Sequence, residues 1–217
     1  MRAVAFDMDG LMFDTEAVYW KSAAALLGRR GYEYTDELCN AIMGRPPQYC
    51  FEFFKKTFSL RESWQELQRE SEELFLEFLK SGFSAMSGLF ELLEFLELCG
   101  IPKCICTSSS LRVVTAVLSS FDLEGRFRFV LTAEDIVRGK PDPEIYLRAA
   151  NGLNVKPSEL LVLEDSEAGC AAAADAGAFP VIVLAEHNKN GIFKKAKLIV
   201  NSLDNPKIKS LLETTKY

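Results

Sequence analysis

The chain has 217 residues, 48% of them hydrophobic, and a formal net charge of −6. That length supplies a sizeable core for one large domain or two modest ones, and the acidic balance gives no global electrostatic reason to bind nucleic acid or an anionic membrane. No apolar run approaches a membrane span, and the chain passes from Arg2 straight into a strand pattern without a signal-peptide layout, so the expected location is the cytoplasm.

Cys39, Cys50, Cys99, Cys104, Cys106 and Cys170 lack CxxC spacing and signal neither a zinc site nor a disulfide framework. Cys104 and Cys106 alternate with Ile105 in an apolar run and read as small hydrophobes in a strand. The single histidine, His187, falls in a polar, turn-like stretch, which argues against a His-based triad or a multi-His metal site. Chemistry is left to carboxylates, Lys, Ser or Thr.

In chain order, Ala3-Val4-Ala5-Phe6 reads as a buried strand that ends on Asp7-Met8-Asp9-Gly10. Thr15 can cap a helix running to about Arg30 with Gly31 as its stop, and Thr35 a second ending near Met43-Gly44. Pro46 and Pro47 start a third, rich in phenylalanine, and Ser63-Trp64-Gln65-Glu66 matches a capping box opening a fourth. With no strand pattern before Gly82 after the first, this stretch reads as a helical insert whose aromatic stripe is its own core.

From Leu89 the chain alternates. A helix to Leu98 precedes the strand Lys103–Thr107, and a helix over 111–118 precedes the strand Arg128–Leu131. A helix around 144–151, the strand 160–163, an Ala-rich helix ending at Gly177 and strands at 181–184 and near 198–200 complete the series. The pattern is that of an α/β protein with a doubly wound, Rossmann-like parallel sheet and an inserted all-helical cap. The expected domains are a discontinuous core, 1–14 with 85–217, and a cap, 15–84, joined by two linkers that make a natural hinge.

In such folds chemistry lies beyond the carboxyl ends of the strands. Asp7 and Asp9 follow the first, Thr107 and Ser108 the second and Glu164 and Asp165 the fourth, while Gly139-Lys140-Pro141 brings a cation to the same edge. Carboxylates this close repel one another unless a hard cation neutralises them, and an oxygen-rich site suits Mg²⁺. A metal, a lysine, a hydroxyl and the backbone N–H groups of the 107–110 turn form a phosphate-binding set.

These residues resemble the haloacid dehalogenase-like superfamily, in the branch of β-phosphoglucomutase and related sugar-phosphate phosphatases. Its motifs occur in order and at the family's spacing: Asp7-Met8-Asp9-Gly10, Thr107, Lys140 in Gly-Lys-Pro, and Glu164-Asp165-Ser166 with Gly169. The resemblance implies an Mg²⁺-dependent phosphatase of a small phosphorylated metabolite, expected to be a monomer. It makes Asp7 the nucleophile that becomes an aspartyl-phosphate and Asp9 the general acid and then base. It gives the phosphoryl group to Thr107 and Lys140, with Ser108 in the same turn. Asp165 is then a direct Mg²⁺ ligand with Asp7 and the backbone carbonyl of Asp9, while Glu164 acts through a metal-bound water.

Several acidic neighbours read as structural. Asp14 and Asp142 suit turns, Glu134-Asp135 a solvated helix start, and Ser166 either a helix cap or the metal shell. In the insert, Arg45 of the Gly44-Arg45-Pro46 loop and Arg69 on the last long helix are the candidate substrate contacts, each against the alternative of a solvated arginine. Mutases of this branch carry a histidine ten residues beyond the second motif aspartate, where this chain has Tyr19. A phosphatase is therefore preferred to a phosphomutase. A dehalogenase would lack Asp9, and an intact motif set argues against a non-catalytic binding protein.

Overall fold

A computed structural model describes residues 1–42 and 45–213. Two compact units form, one of Met1–Asp14 with Ser84–Tyr217 and one of Thr15–Phe83. Ser84, grouped with the insert above, lies with the first unit, where its carbonyl accepts a hydrogen bond from the Asp14 N–H at 2.9 Å. The two linkers pair there, since Phe13 bridges Ala85 and the Met86 N–H bonds the Met12 carbonyl.

The first unit begins with β1 (Ala3–Phe6). After the insert come α5 (Leu89–Leu98), β2 (Lys103–Cys106), α6 (Leu111–Ser119), β3 (Val130–Leu131), α7 (Glu144–Gly152), β4 (Leu160–Glu164), α8 (Glu167–Asp175), β5 (Phe179–Val183), β6 (Leu198–Val200) and α9 (Pro206–Glu213). The strands form one parallel sheet in the order β3-β2-β1-β4-β5-β6, so β1 is central and the winding reverses beside it. Strands β1, β2 and β4 are buried throughout, as parallel strands covered on both faces must be, which is why they read as continuous apolar runs.

One sheet face places Ala3, Ala5, Cys104, Cys106, Leu160 and Val162 against residues of α7 and α8. The cysteines are core residues there, and Ala172 and Ala173 add to the same core from α8.

Among the departures from the expected limits, three have a clear physical reason. Strand β3 is two residues, not four, although the Arg128 N–H still bonds the Lys103 carbonyl; it is an edge strand, and short edges limit unwanted pairing. Strand β5 starts two residues early and contains Pro180. Its carbonyl accepts from the Lys197 N–H on the side where β6 begins only at Leu198, so the missing N–H removes no ladder bond to β6. Helix α9 was not anticipated; Asn205 bonds the Lys207 N–H ahead of Pro206, and Ile208 and Leu212 are buried one turn apart.

The second unit consists of α1 (Glu16–Gly28), α2 (Asp36–Ile42), α3 (Pro47–Phe58) and α4 (Trp64–Leu79). The expected end of α2 near Met43-Gly44 lies outside the described residues. Thr15 precedes α1 without a side-chain cap bond, whereas the Ser63–Glu66 capping box of α4 is formed in both directions. Leu26, Leu27, Tyr34, Phe51, Phe54 and Leu67 share a core, so the aromatic stripe is packing. Arg30 ties α1 to α4 through Glu70 at 2.6 Å and to the preceding loop through Glu62 at 2.9 Å. Among the described residues, no helix is long and apolar enough to cross a membrane.

Besides Glu164 at the end of β4, the strands carry a buried charge at Lys103, the first residue of β2. The ammonium of Lys103 is buried, lies 5.7 Å from the centre of the Phe127 ring and meets Glu97 at 2.8 Å, where Arg126 also binds. The Arg126 guanidinium, with Lys103 helping and partial burial opposing, holds the Glu97 carboxyl down to about 2 from its ordinary 4.5. The stabilisation is complete above about 4.5 and is lost as the pH falls toward 2. Glu97→Gln is expected to cost about 1–2 kcal/mol at neutral pH, screened on the Glu97 side but aggravated by the buried Lys103 charge. Urea denaturation should show that deficit shrinking toward zero through the acidic window; a deficit equally large at the acid end would contradict it.

Candidate active site

The sheet register decides which residues meet. Phe6 pairs with Ile105 on one side and Leu163 on the other, so the carboxyl ends of β2, β1 and β4 lie level. Asp7 follows β1 directly and its N–H bonds the Leu163 carbonyl at 3.0 Å. Thr107 follows β2, Glu164 ends β4 and Asp165 comes next, all buried.

Lys140 enters this edge from the turn before α7. Its buried ammonium donates to Asp7 Oδ1 at 2.5 Å, Glu164 Oε1 at 2.6 Å and the Cys106 carbonyl at 2.9 Å. Glu164 is held more completely than Asp7. Its Oε1 also accepts from the Tyr146 hydroxyl at 2.5 Å, and its Oε2 accepts from Ser166 Oγ at 2.9 Å and from the N–H groups of Asp165 and Ser166 at 3.2 Å. Of the two roles weighed above, Ser166 takes the helix cap, accepting the Gly169 N–H at 3.0 Å at the start of α8. Position 169 must be glycine because a Cβ there would fall 1.7 Å from Glu164 Oε1.

The electrostatics follow from burial. Burial pushes the Glu164 carboxyl up, but Lys140 and the hydrogen bonds from Tyr146 and Ser166 outweigh it and hold the group below its ordinary range. For Asp7, burial prevails over Lys140, and Glu164, Asp165 and Asp9 add to it, so its carboxyl stands well above the usual range. Burial likewise raises Asp165 against the opposing His187. Burial would lower Lys140, yet Asp7 and Glu164 keep it above its ordinary value. Lys140 is shared between Asp7 and Glu164, and Glu164 has additional donors in Tyr146, Ser166 and two backbone N–H groups.

Asp7, Glu164 and Asp165 each place a carboxylate oxygen within 4.8 Å of the others. Three buried carboxylates around one ammonium leave an excess of negative charge, and an all-oxygen donor set fits a hard divalent cation. Asp9 is held separately: its Oδ2 accepts from Ser109 Oγ at 2.7 Å and Thr107 Oγ1 at 3.4 Å, while Thr107 Oγ1 accepts the Ser109 N–H at 3.0 Å. Ser108 is exposed on the same turn, and Ser110 caps α6.

The remaining candidates divide. Asp142 serves its turn through the Glu144 N–H at 3.0 Å and Arg138 at 2.9 Å; Glu134 accepts the Leu111 N–H at the start of α6, and Asp135 closes a short 3-10 turn with Thr132. Asp14 is an exposed residue of the linker pair. In the helical unit, the Arg45 guanidinium lies 5.2 Å from the centre of the Tyr49 ring, and Arg69 is exposed beside a groove it shares with Arg30, Glu66 and Glu70. Gly44 lies outside the described residues.

Two participants were missed. Tyr146 was not singled out within the helix expected around 144–151, yet its hydroxyl donates to Glu164 Oε1. His187 was dismissed as a turn residue, yet its Nε2 lies 2.7 Å from Asp165 Oδ2. The available signal was topological, because residues just past β5 emerge at the same sheet edge.

Over residues 4–183 the chain matches the haloacid dehalogenase-like hydrolase family. It is 34% identical over 181 residues to a phosphorylated carbohydrates phosphatase of Thermotoga maritima, with 82% of each chain covered. A probable pseudouridine-5'-phosphatase of Drosophila melanogaster is 34% identical over 184 residues, covering 82% of this chain and 79% of that one. Among solved structures, a putative beta-phosphoglucomutase from Thermotoga maritima aligns with a TM-score of 0.74 at 29% identity, over 100% of this chain and 99% of that one. A match of this extent, on a sheet edge carrying the family's aspartates, lysine and acidic pair, makes the chain a member of the haloacid dehalogenase-like hydrolases.

Proposed function

We propose that the protein is an Mg²⁺-dependent phosphomonoesterase of a small phosphorylated metabolite, a sugar phosphate being the preferred class. The observation that carries this reading is the division of four carboxylates on one sheet edge. Asp7 and Glu164 share Lys140 with Asp165 clustered beside them, while Asp9 is held by Thr107 and Ser109.

In this reading Asp7 and Asp165 would hold the metal with the Asp9 backbone carbonyl, and Glu164 would brace the set or act through a water. A cation held there would supply positive charge to the phosphoryl oxygens and would keep Asp7 ionised against the burial that raises it. Asp7 attacks phosphorus, the ester P–O bond breaks, and Asp9 gives its proton to the departing oxygen. Asp9, now a carboxylate, takes a proton from water as the water oxygen attacks phosphorus; the bond between phosphorus and the Asp7 oxygen breaks, releasing inorganic phosphate and the Asp7 carboxylate. Lys140, the Thr107 hydroxyl and the turn at Ser108 bind the equatorial oxygens where charge is concentrated.

The helical unit, as the separate substrate-recognition domain, chooses the rest of the metabolite, with Arg45 and Arg69 as the residues to test first. A phosphatase is preferred to a mutase because position 19 is a tyrosine, its ring tilted against Phe75 with centres 4.5 Å apart, and because the relatives above carry phosphatase names. A cytoplasmic, monomeric protein remains the working expectation.

Incubation with Mg²⁺ and a panel of phosphorylated metabolites, following inorganic phosphate beside isomer conversion, tests the reading. Phosphate release should disappear with chelator, return with Mg²⁺ and fall on the order of 1,000-fold or more in Asp7→Asn with the fold retained. Near wild-type release by that variant, or conversion that depends on a bisphosphate primer, would overturn it.

A further inference from the structure

The loop after β5 is built around one contact that the chemistry above does not use. Asn188 pins it from both sides: its Nδ2 donates to the Asp165 carbonyl at 2.8 Å and the Val183 carbonyl at 3.0 Å, and its Oδ1 accepts the Ala185 N–H at 2.7 Å. This ties the ends of β4 and β5 together and sets the intervening His187 with Nε2 2.7 Å from Asp165 Oδ2. The arrangement is tight. Gly10, at φ +75°, passes so close that a Cβ would fall 2.3 Å from Asp165 Oδ2 and 2.8 Å from His187 Nε2. Ends of three strands therefore meet at one carboxylate, which is 8% exposed beside an imidazole that is 20% exposed.

We infer that His187 is a positioning residue for Asp165, its Nε2–H fixing the plane and rotamer of that carboxylate so that it is presented to a divalent cation shared with Asp7. The inference rests on the metal-binding part of the proposed function. The physical reason is preorganisation. A buried carboxylate with one oxygen engaged by a rigid ring has less orientational freedom to lose when the cation binds, and hydrogen-bond partners of metal ligands commonly set affinity in this way. The ring needs to be a donor at Nε2, not a cation, so a side-chain amide that reaches equally far should substitute for it. Asn188 serves the loop through its backbone bonds and so sets the reach of His187.

The test is metal binding by the full chain without substrate. Isothermal titration with Mg²⁺, repeated with Mn²⁺, is run on the wild type, His187→Ala, His187→Gln and Asp165→Asn, with melting temperatures taken without metal. His187→Ala should weaken the dissociation constant at least ~10-fold, His187→Gln should recover most of that loss, and Asp165→Asn should bind weakest. A loss in the Ala variant not recovered by Gln overturns the donor role, as would a loss matched by an equal fall in metal-free melting temperature. Wild-type affinity in His187→Ala, with Asp165→Asn still defective, overturns this inference and leaves the metal reading standing. Absence of saturable binding by the wild type overturns both.

Discussion

The pairing of Asp7 with Glu164 at the sheet edge depends on one buried ammonium. Lys140 gathers the Asp7 carboxylate, the Glu164 carboxylate and the Cys106 carbonyl within 2.5–2.9 Å, with the Tyr146 ring centre 5.3 Å away. Burying one charge alone would cost several kcal/mol. Here the cost is offset by placing opposite charges in contact and by giving Glu164 hydrogen bonds from Tyr146, Ser166 and two backbone N–H groups. The anchor is asymmetric: Glu164 is saturated, whereas Asp7 has Lys140 on one oxygen and other carboxylates nearby. A nucleophile in that position is oriented without being neutralised, and additional positive charge favours its reactive form.

The sheet makes this geometry possible. Because Phe6 is in register with both Ile105 and Leu163, residues far apart in the chain reach the same level, and short connections carry Asp9, Ser109 and His187 there as well. The apolar packing of alanines and cysteines beneath the edge supports it from one face. Gly169 and Gly10 show how little slack remains, since each lies where a single added carbon would strike a site carboxylate.

The polar edge was legible from the sequence because each piece is local: a buried apolar run followed by Asp7 and Asp9, by Thr107, or by Glu164 and Asp165, and a lysine set by its following proline. The winding followed from helix–strand alternation alone, and the capping box at Ser63 and Glu66 announced α4. What was not legible depends on contacts between distant segments. Tyr146 meets Glu164, and His187 meets Asp165, only after the sheet has formed; neither neighbourhood in the chain differs from ordinary helix or turn sequence. Pro180 hid the start of β5 because its tolerance depends on where β6 begins, some eighteen residues later (198 against 180). The arginines of the helical unit carry no local signature that separates a substrate contact from a surface charge.

The central claim is that Asp7 is the covalent nucleophile of a phosphoryl transfer. The most direct measurement is rapid acid quench of the Mg²⁺-loaded enzyme with a turned-over phosphomonoester, followed by peptide mass spectrometry for an acid-stable, base-labile phosphoryl group. The account predicts the phosphoryl group on the peptide containing Asp7 and none in Asp7→Asn. Phosphate release with a burst of product but no phosphoryl group at Asp7, or with the group on another side chain, would contradict it.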